Sequence, residues 1–243
     1  MTPAKGLLIL AVVMVLGAVV WAARARSPRA AGSGLASVSG PNSLRYLPLG
    51  DSYTIGQSVA EADRWPNQLT AQYKPAGKAL AIVANPARTG FTTQDLIDQE
   101  LTLIEQLRPD FVTVQIGVND YVQGSDAATF EKRLRYIVTY LRQKLTRPQN
   151  LLLVTIPDYA KTPAGAHYGD PARATAAITQ YNTIIKAVAK DNNLPVADVF
   201  VVSQGVDADP RLTASDGLHP SAKQYAAWTT VIRQVLEAAR VPE

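Results

Sequence analysis

The chain has 243 residues, a net charge of +4 and 47% hydrophobic residues, enough for one sizeable α/β core or at most two small ones. Its positive charges are scattered or paired with acids, and no basic run is interleaved with aromatics, so nucleic-acid binding has no support. There is no cysteine, which excludes disulfides, thiolate metal sites, a cysteine nucleophile and a cysteine-linked lipid anchor. Two distant histidines with no His-x-x-x-His pair argue against a zinc centre.

Residues 6–23, from Gly6 to Ala23, carry no charge and follow Lys5. As a helix they would rise about 27 Å, roughly the thickness of the hydrocarbon core of a bilayer. Segment 1–26 therefore reads as an uncleaved membrane anchor with Trp21 at the interface, or as a cleaved signal segment. Its length favours the anchor, and Ala23-Arg24-Ala25 makes a poor cleavage site. Arg24, Arg26 and Arg29 follow the run, and taken literally the positive-inside rule would keep the globular part in the cytoplasm. Residues 27–43 are rich in Ser, Gly, Ala and Pro and read as a flexible tether. The folded domain is expected over 44–243.

From there strands and helices alternate. Apolar runs predict strands over 44–49, 79–84, 111–116, 151–156 and 196–200. Helical patterns cover 65–73, with Pro66 in its first turn, 92–107, opened by Thr92 and Asp95, 127–145, 171–192 and 221–239, with Ser221 as its cap. Continuous apolar strands separated by helices predict a five-stranded parallel sheet covered on both faces, an α/β fold of three layers. No internal repeat is visible.

In a parallel sheet the strand ends converge on one edge. The first strand leads into Gly50-Asp51-Ser52 and the second into Asn85-Pro86-Ala87-Arg88-Thr89-Gly90. The third leads into Gly117-Val118-Asn119-Asp120, and the loop before the last helix holds Asp216-Gly217-Leu218-His219. Ser52, His219 and Asp216 are candidates for nucleophile, base and orienting acid of acyl transfer. A histidine can take the serine proton at neutral pH, and a carboxylate three residues earlier can reach its other nitrogen. The backbone N–H groups of Ser52 and Gly90 and the side-chain amide of Asn119 are candidate oxyanion donors.

These four blocks resemble the SGNH hydrolase family, also called GDSL esterases and lipases, whose blocks centre on a Ser in Gly-Asp-Ser, a Gly, an Asn in Gly-x-Asn-Asp and a C-terminal Asp-x-x-His. The resemblance spans roughly 44–240. It implies a flavodoxin-like sheet, the Ser52–His219–Asp216 triad and the Ser52–Gly90–Asn119 oxyanion hole. It also implies a carboxylic ester or other acylated small molecule as substrate, with no metal or cofactor. Many bacterial relatives are exported, which favours an extracytoplasmic or secreted domain. The G-x-S-x-G elbow of the α/β-hydrolases is absent.

Each block alone has a plainer reading. Gly-Asp-Ser is usually a turn or helix cap, Asn119-Asp120 a cap, Asp216-Gly217 and Gly90 turns. Asp51 is read as structural. Asp158 and Tyr159 read as a plain loop at least as well as a pocket lining, His167 as a solvated loop residue and Arg88 as a surface charge. Acyl transfer to an acceptor other than water, and an idle binding module on the same fold, use the same residues and stay open. The acyl and alcohol parts of a substrate and the oligomeric state are not legible.

Overall fold

The computed structural model describes residues 42–242. The apolar run 6–23 and most of the proposed tether lie outside the described residues. Among the described residues no helix is long and apolar enough to cross a membrane.

Five strands form one parallel sheet: β1 (Ser43–Gly50), β2 (Ala79–Ile82), β3 (Phe111–Gln115), β4 (Leu151–Val154) and β5 (Val196–Ala197), in the order β2-β1-β3-β4-β5. β1 lies between β2 and β3, with Tyr46 opposite both Ile82 and Phe111 and Gly50 opposite Gln115. A proline within such a strand removes a ladder donor. Pro48 is tolerated because β2 has already ended. Tyr46 turns its carbonyl toward β2, accepting from Val83 N, and Pro48, two residues on, faces the same side past the last paired residue, Ile82.

The connecting helices are α1 (Ser52–Ile55), α2 (Trp65–Gln72), α3 (Val118–Val122), α4 (Ala127–Lys144), α5 (Pro171–Asp191), α6 (Phe200–Ser203) and α7 (Ala222–Ala239), with a segmented helix between β2 and β3. α2 packs on α7, and α4 on α5 and the start of the segmented helix. The result is the three-layer α/β/α fold expected from the sequence. The core is continuous across the sheet and includes Tyr46, Leu47, Leu49, Phe111, Leu153 and Trp228, none more than 1% exposed. Asp126, Asp170 and Ser221 cap α4, α5 and α7 through their side chains.

Two elements depart from the sequence expectation. The helix expected over 92–107 opens with a Thr92–Asp95 capping box, then runs through a π-helical turn at Leu96–Glu100 and a 3-10 turn at Leu101–Leu103 before Ile104–Leu107. The wider turn carries Glu100 inward, where its Oε2 accepts from Gly50 N at 3.0 Å. The fifth strand stops at Ala197 because side chains then take the backbone donors. Thr155 Oγ1 accepts from Val199 N and Phe200 N, Asp198 Oδ1 also accepts from Phe200 N, and the chain enters α6.

Candidate active site

Ser52 stands where β1 ends. Gly50 is at φ +155, and a Cβ there would lie 2.3 Å from the Gln115 carbonyl oxygen and 2.4 Å from Thr54 Oγ1, so only glycine allows β1 to turn this tightly against β3. Asp51 then caps α1, its Oδ1 accepting from Tyr53 N at 2.9 Å. Ser52 is the first residue of that helix and is largely buried. Burial pushes the Asp51 carboxyl up to about 8, with a smaller push from Asp120 and an opposing hydrogen bond from Tyr53 N. Glu100, behind the same turn, is raised well above the ordinary carboxyl range, chiefly by burial. Two carboxyls held toward their neutral form thus back the Gly50-Asp51-Ser52 turn.

The Asp216-Gly217-Leu218-His219 block is assembled. Asp216 Oδ1 accepts from Leu218 N and His219 N, both at 2.9 Å, which closes the turn over its own carboxylate. Asp216 Oδ2 lies 2.6 Å from His219 Nδ1 and accepts from Ser58 Oγ at 2.6 Å. Partial burial acts to raise this carboxyl, but the hydrogen bonds from Ser58, the two backbone N–H groups and His219 outweigh it and hold Asp216 well below the usual carboxylate range. An ionised Asp216 fixes the Nδ1–H tautomer of His219 and leaves Nε2 with a lone pair. The imidazole is buried, with the ring of Tyr53, the residue after Ser52, 5.6 Å away centroid to centroid. Among the described residues Ser52 Oγ makes no hydrogen bond, and the segment that carries it meets the Asp216–His219 pair through its neighbour Tyr53 and through Ser58. A nucleophile–base hydrogen bond often tightens only when substrate is bound.

Gly90 is at φ +83, and a Cβ there would meet nothing within 4 Å. Its peptide thus borders open space, as close approach by a ligand requires. Asn119 Nδ2 donates to the Phe91 carbonyl at 3.0 Å and makes a long 3.5 Å contact with Asp51 Oδ2, which ties the Gly90 loop, α3 and the Gly50-Asp51-Ser52 turn together. Asp120 does not cap the following helix. It is fully buried and accepts from both Thr93 N and Thr93 Oγ1, with Arg133 Nη1 3.6 Å away. Gly117 is required by packing, since a Cβ there would lie 2.5 Å from the Phe130 ring.

The other singled-out residues fall out simply. Asp158 is buried and satisfied by Ala160 N, Thr175 Oγ1 and Gln204 Nε2, so it organises the loop after β4. His167 is exposed, and Arg88 is exposed with its guanidinium 5.9 Å over the Phe91 ring. Tyr159 is buried and Tyr168, edge-on to it, is half exposed. Behind Tyr53, Tyr159 and Leu218 lies a cavity of about 10 Å³, space for about one water and no more. The sequence reading missed Ser58 and Glu100. Ser58 carries no motif signal. A Glu in an otherwise apolar inward stripe with Leu96, Leu101 and Ile104 was the available sign for Glu100.

The pattern of the GDSL-like Lipase/Acylhydrolase family matches residues 49–227, from β1 into α7 and across all four blocks. The chain belongs to this family. As a member it is a carboxylic ester hydrolase. It is 32% identical over 147 residues to a multidomain esterase of Ruminococcus flavefaciens, a match that covers 58% of this chain and 18% of that protein. It is 26% identical over 179 residues to the Escherichia coli K12 thioesterase 1/protease 1/lysophospholipase L1, covering 72% of this chain and 74% of the relative. The crystal structure of TesA shares the fold, with a TM-score of 0.64 and 19% identity over 80% of this chain and 98% of that one.

Proposed function

We propose that the chain hydrolyses carboxylic esters through an acyl-Ser52 intermediate. The observation that carries this reading is the 2.6 Å contact of Asp216 Oδ2 with His219 Nδ1, made beside the serine turn by a carboxylate held ionised. His219 Nε2 takes the Ser52 Oγ proton as Oγ attacks the ester carbonyl, and Asp216 stabilises the imidazolium. The negative charge that develops on the carbonyl oxygen is met by the N–H groups of Ser52 and Gly90 and by the Asn119 amide, whose 3.5 Å contact with Asp51 is the one free to be exchanged. The imidazolium gives its proton to the departing alkoxide. In the second half, His219 takes a proton from water, the hydroxide attacks the acyl carbon, and Ser52 Oγ leaves with the proton returned.

The substrate is an acyl ester whose reacting carbonyl enters the open space beside the Gly90 peptide. The cavity behind Tyr53 is too small to take an acyl chain. The uncharged run 6–23 supports an exported domain, tethered to a membrane or released. Replacing Ser52 with Ala in a folded protein abolishes turnover of 4-nitrophenyl acetate; turnover retained at the wild-type rate would end this reading.

A further inference from the structure

The loop leaving the nucleophile helix makes a contact that ester hydrolysis as described does not use. Gly56 ends α1 in left-handed backbone at φ 69, and Ser58 is left-handed again at φ 67. For a residue with a Cβ this conformation is uncommon and persists where contacts hold it. Ser58 Oγ donates to Asp216 Oδ2 at 2.6 Å across 158 positions of sequence, to the same oxygen that His219 Nδ1 meets. Its neighbour Gln57 Oε1 accepts from Thr89 Oγ1, the residue before Gly90. Two consecutive residues after the Ser52 helix thus reach the two loops that carry the base and the oxyanion glycine.

Among the described residues the carboxylate of Asp216 is otherwise bonded within its own turn, to Leu218 N, His219 N and His219 Nδ1. Those bonds fix the carboxylate relative to the imidazole. They do not fix the pair relative to Ser52. Among the described residues, Ser58 supplies the one hydrogen bond to this carboxylate from outside residues 216–219. It comes from the segment that continues directly from the nucleophile helix.

We propose that Ser58 is a positioning residue that registers the Asp216–His219 pair to the Ser52 helix through its hydroxyl, an inference that rests on the acyl-Ser52 reading. Removing the hydroxyl leaves Asp216 ionised and paired but lets the dyad shift against the serine. The loss then falls on the chemical step and spares ester binding.

The test compares Ser58→Gly and Ser58→Ala with wild type in the full chain. Glycine accepts the left-handed backbone at no cost and alanine does not, so a hydroxyl role predicts equal loss in both. The expected result is a fall in kcat for 4-nitrophenyl acetate of about tenfold, with KM within about twofold. The downfield proton resonance of His219 Nδ1–H should exchange faster with solvent in both variants. Wild-type kcat and an unchanged resonance in Ser58→Gly overturn the proposal, as does a loss confined to Ser58→Ala, which would place the role in the backbone. If wild type itself fails to turn over ester, the hydrolase mechanism fails, while the Nδ1–H comparison still decides whether Ser58 holds the dyad.

Discussion

Asp51 offers a pH experiment whose sign and size follow from its surroundings. It is 1% exposed, and burial raises its carboxyl to about 8, against about 3.9 in an unfolded chain. Between those values the native protein holds a proton that unfolding releases. Stability from this site is therefore fully present below about pH 4 and is lost as pH rises toward 8. The slope is about 1.4 kcal/mol per pH unit, or roughly 3 kcal/mol between pH 5 and pH 7. Asp51→Asn keeps an oxygen for Tyr53 N and cannot titrate. It gives up only a long 3.5 Å contact from Asn119. The variant should gain on wild type by that roughly 3 kcal/mol as pH moves from 5 to 7, a relative shift in Tm of about 5–10 °C for a domain of this size. Urea unfolding of both proteins at the two pH values measures the gap directly. A gap that does not change with pH would refute the argument that burial keeps Asp51 neutral.

Other substitutions probe the frame and the candidate site. Asn182 bonds both backbone groups of Ile156, accepting from its N at 2.7 Å and donating to its carbonyl at 2.8 Å. Asn182→Ala should cost about 2–4 kcal/mol by leaving both groups buried and unpaired, measured as a fall in the urea midpoint at constant m-value. Gly90→Ala should fold, since its Cβ meets nothing, with a backbone cost of about 1–2 kcal/mol. Its methyl would stand in the open space beside the Gly90 peptide and lower kcat/KM about 10- to 100-fold; an unchanged kcat/KM would remove Gly90 from the site.

Much of the fold is legible because burial on both faces leaves a plain mark. The run Leu151–Val154 is apolar throughout and Phe111–Gln115 is interrupted only by Thr113 and Gln115, and the caps Thr92 and Ser221 announce their helices. What escapes the sequence is governed by contacts between distant segments. The fifth strand reads as five residues by composition, yet Thr155, just past the end of the neighbouring strand, takes its backbone donors after Ala197. The segmented helix reads as continuous, yet Glu100 is drawn inward to Gly50 N. The same limit holds at the site. Ser52, Gly90, Asn119, Asp216 and His219 are visible because each sits in a motif at a strand end or before the last helix. Asp120 is visible in its motif too, but its bond to Thr93 is not. Ser58 has no motif, and only the folded chain brings it to Asp216.

The central claim is an activated Ser52, and covalent capture tests it most directly. The full-length chain and Ser52→Ala are treated with a fluorophosphonate, and the intact mass of each is recorded. The account predicts one adduct on the parent, mapped to Ser52, and none on the variant. An unlabelled parent that is demonstrably folded, or an equal adduct on both proteins, would contradict it.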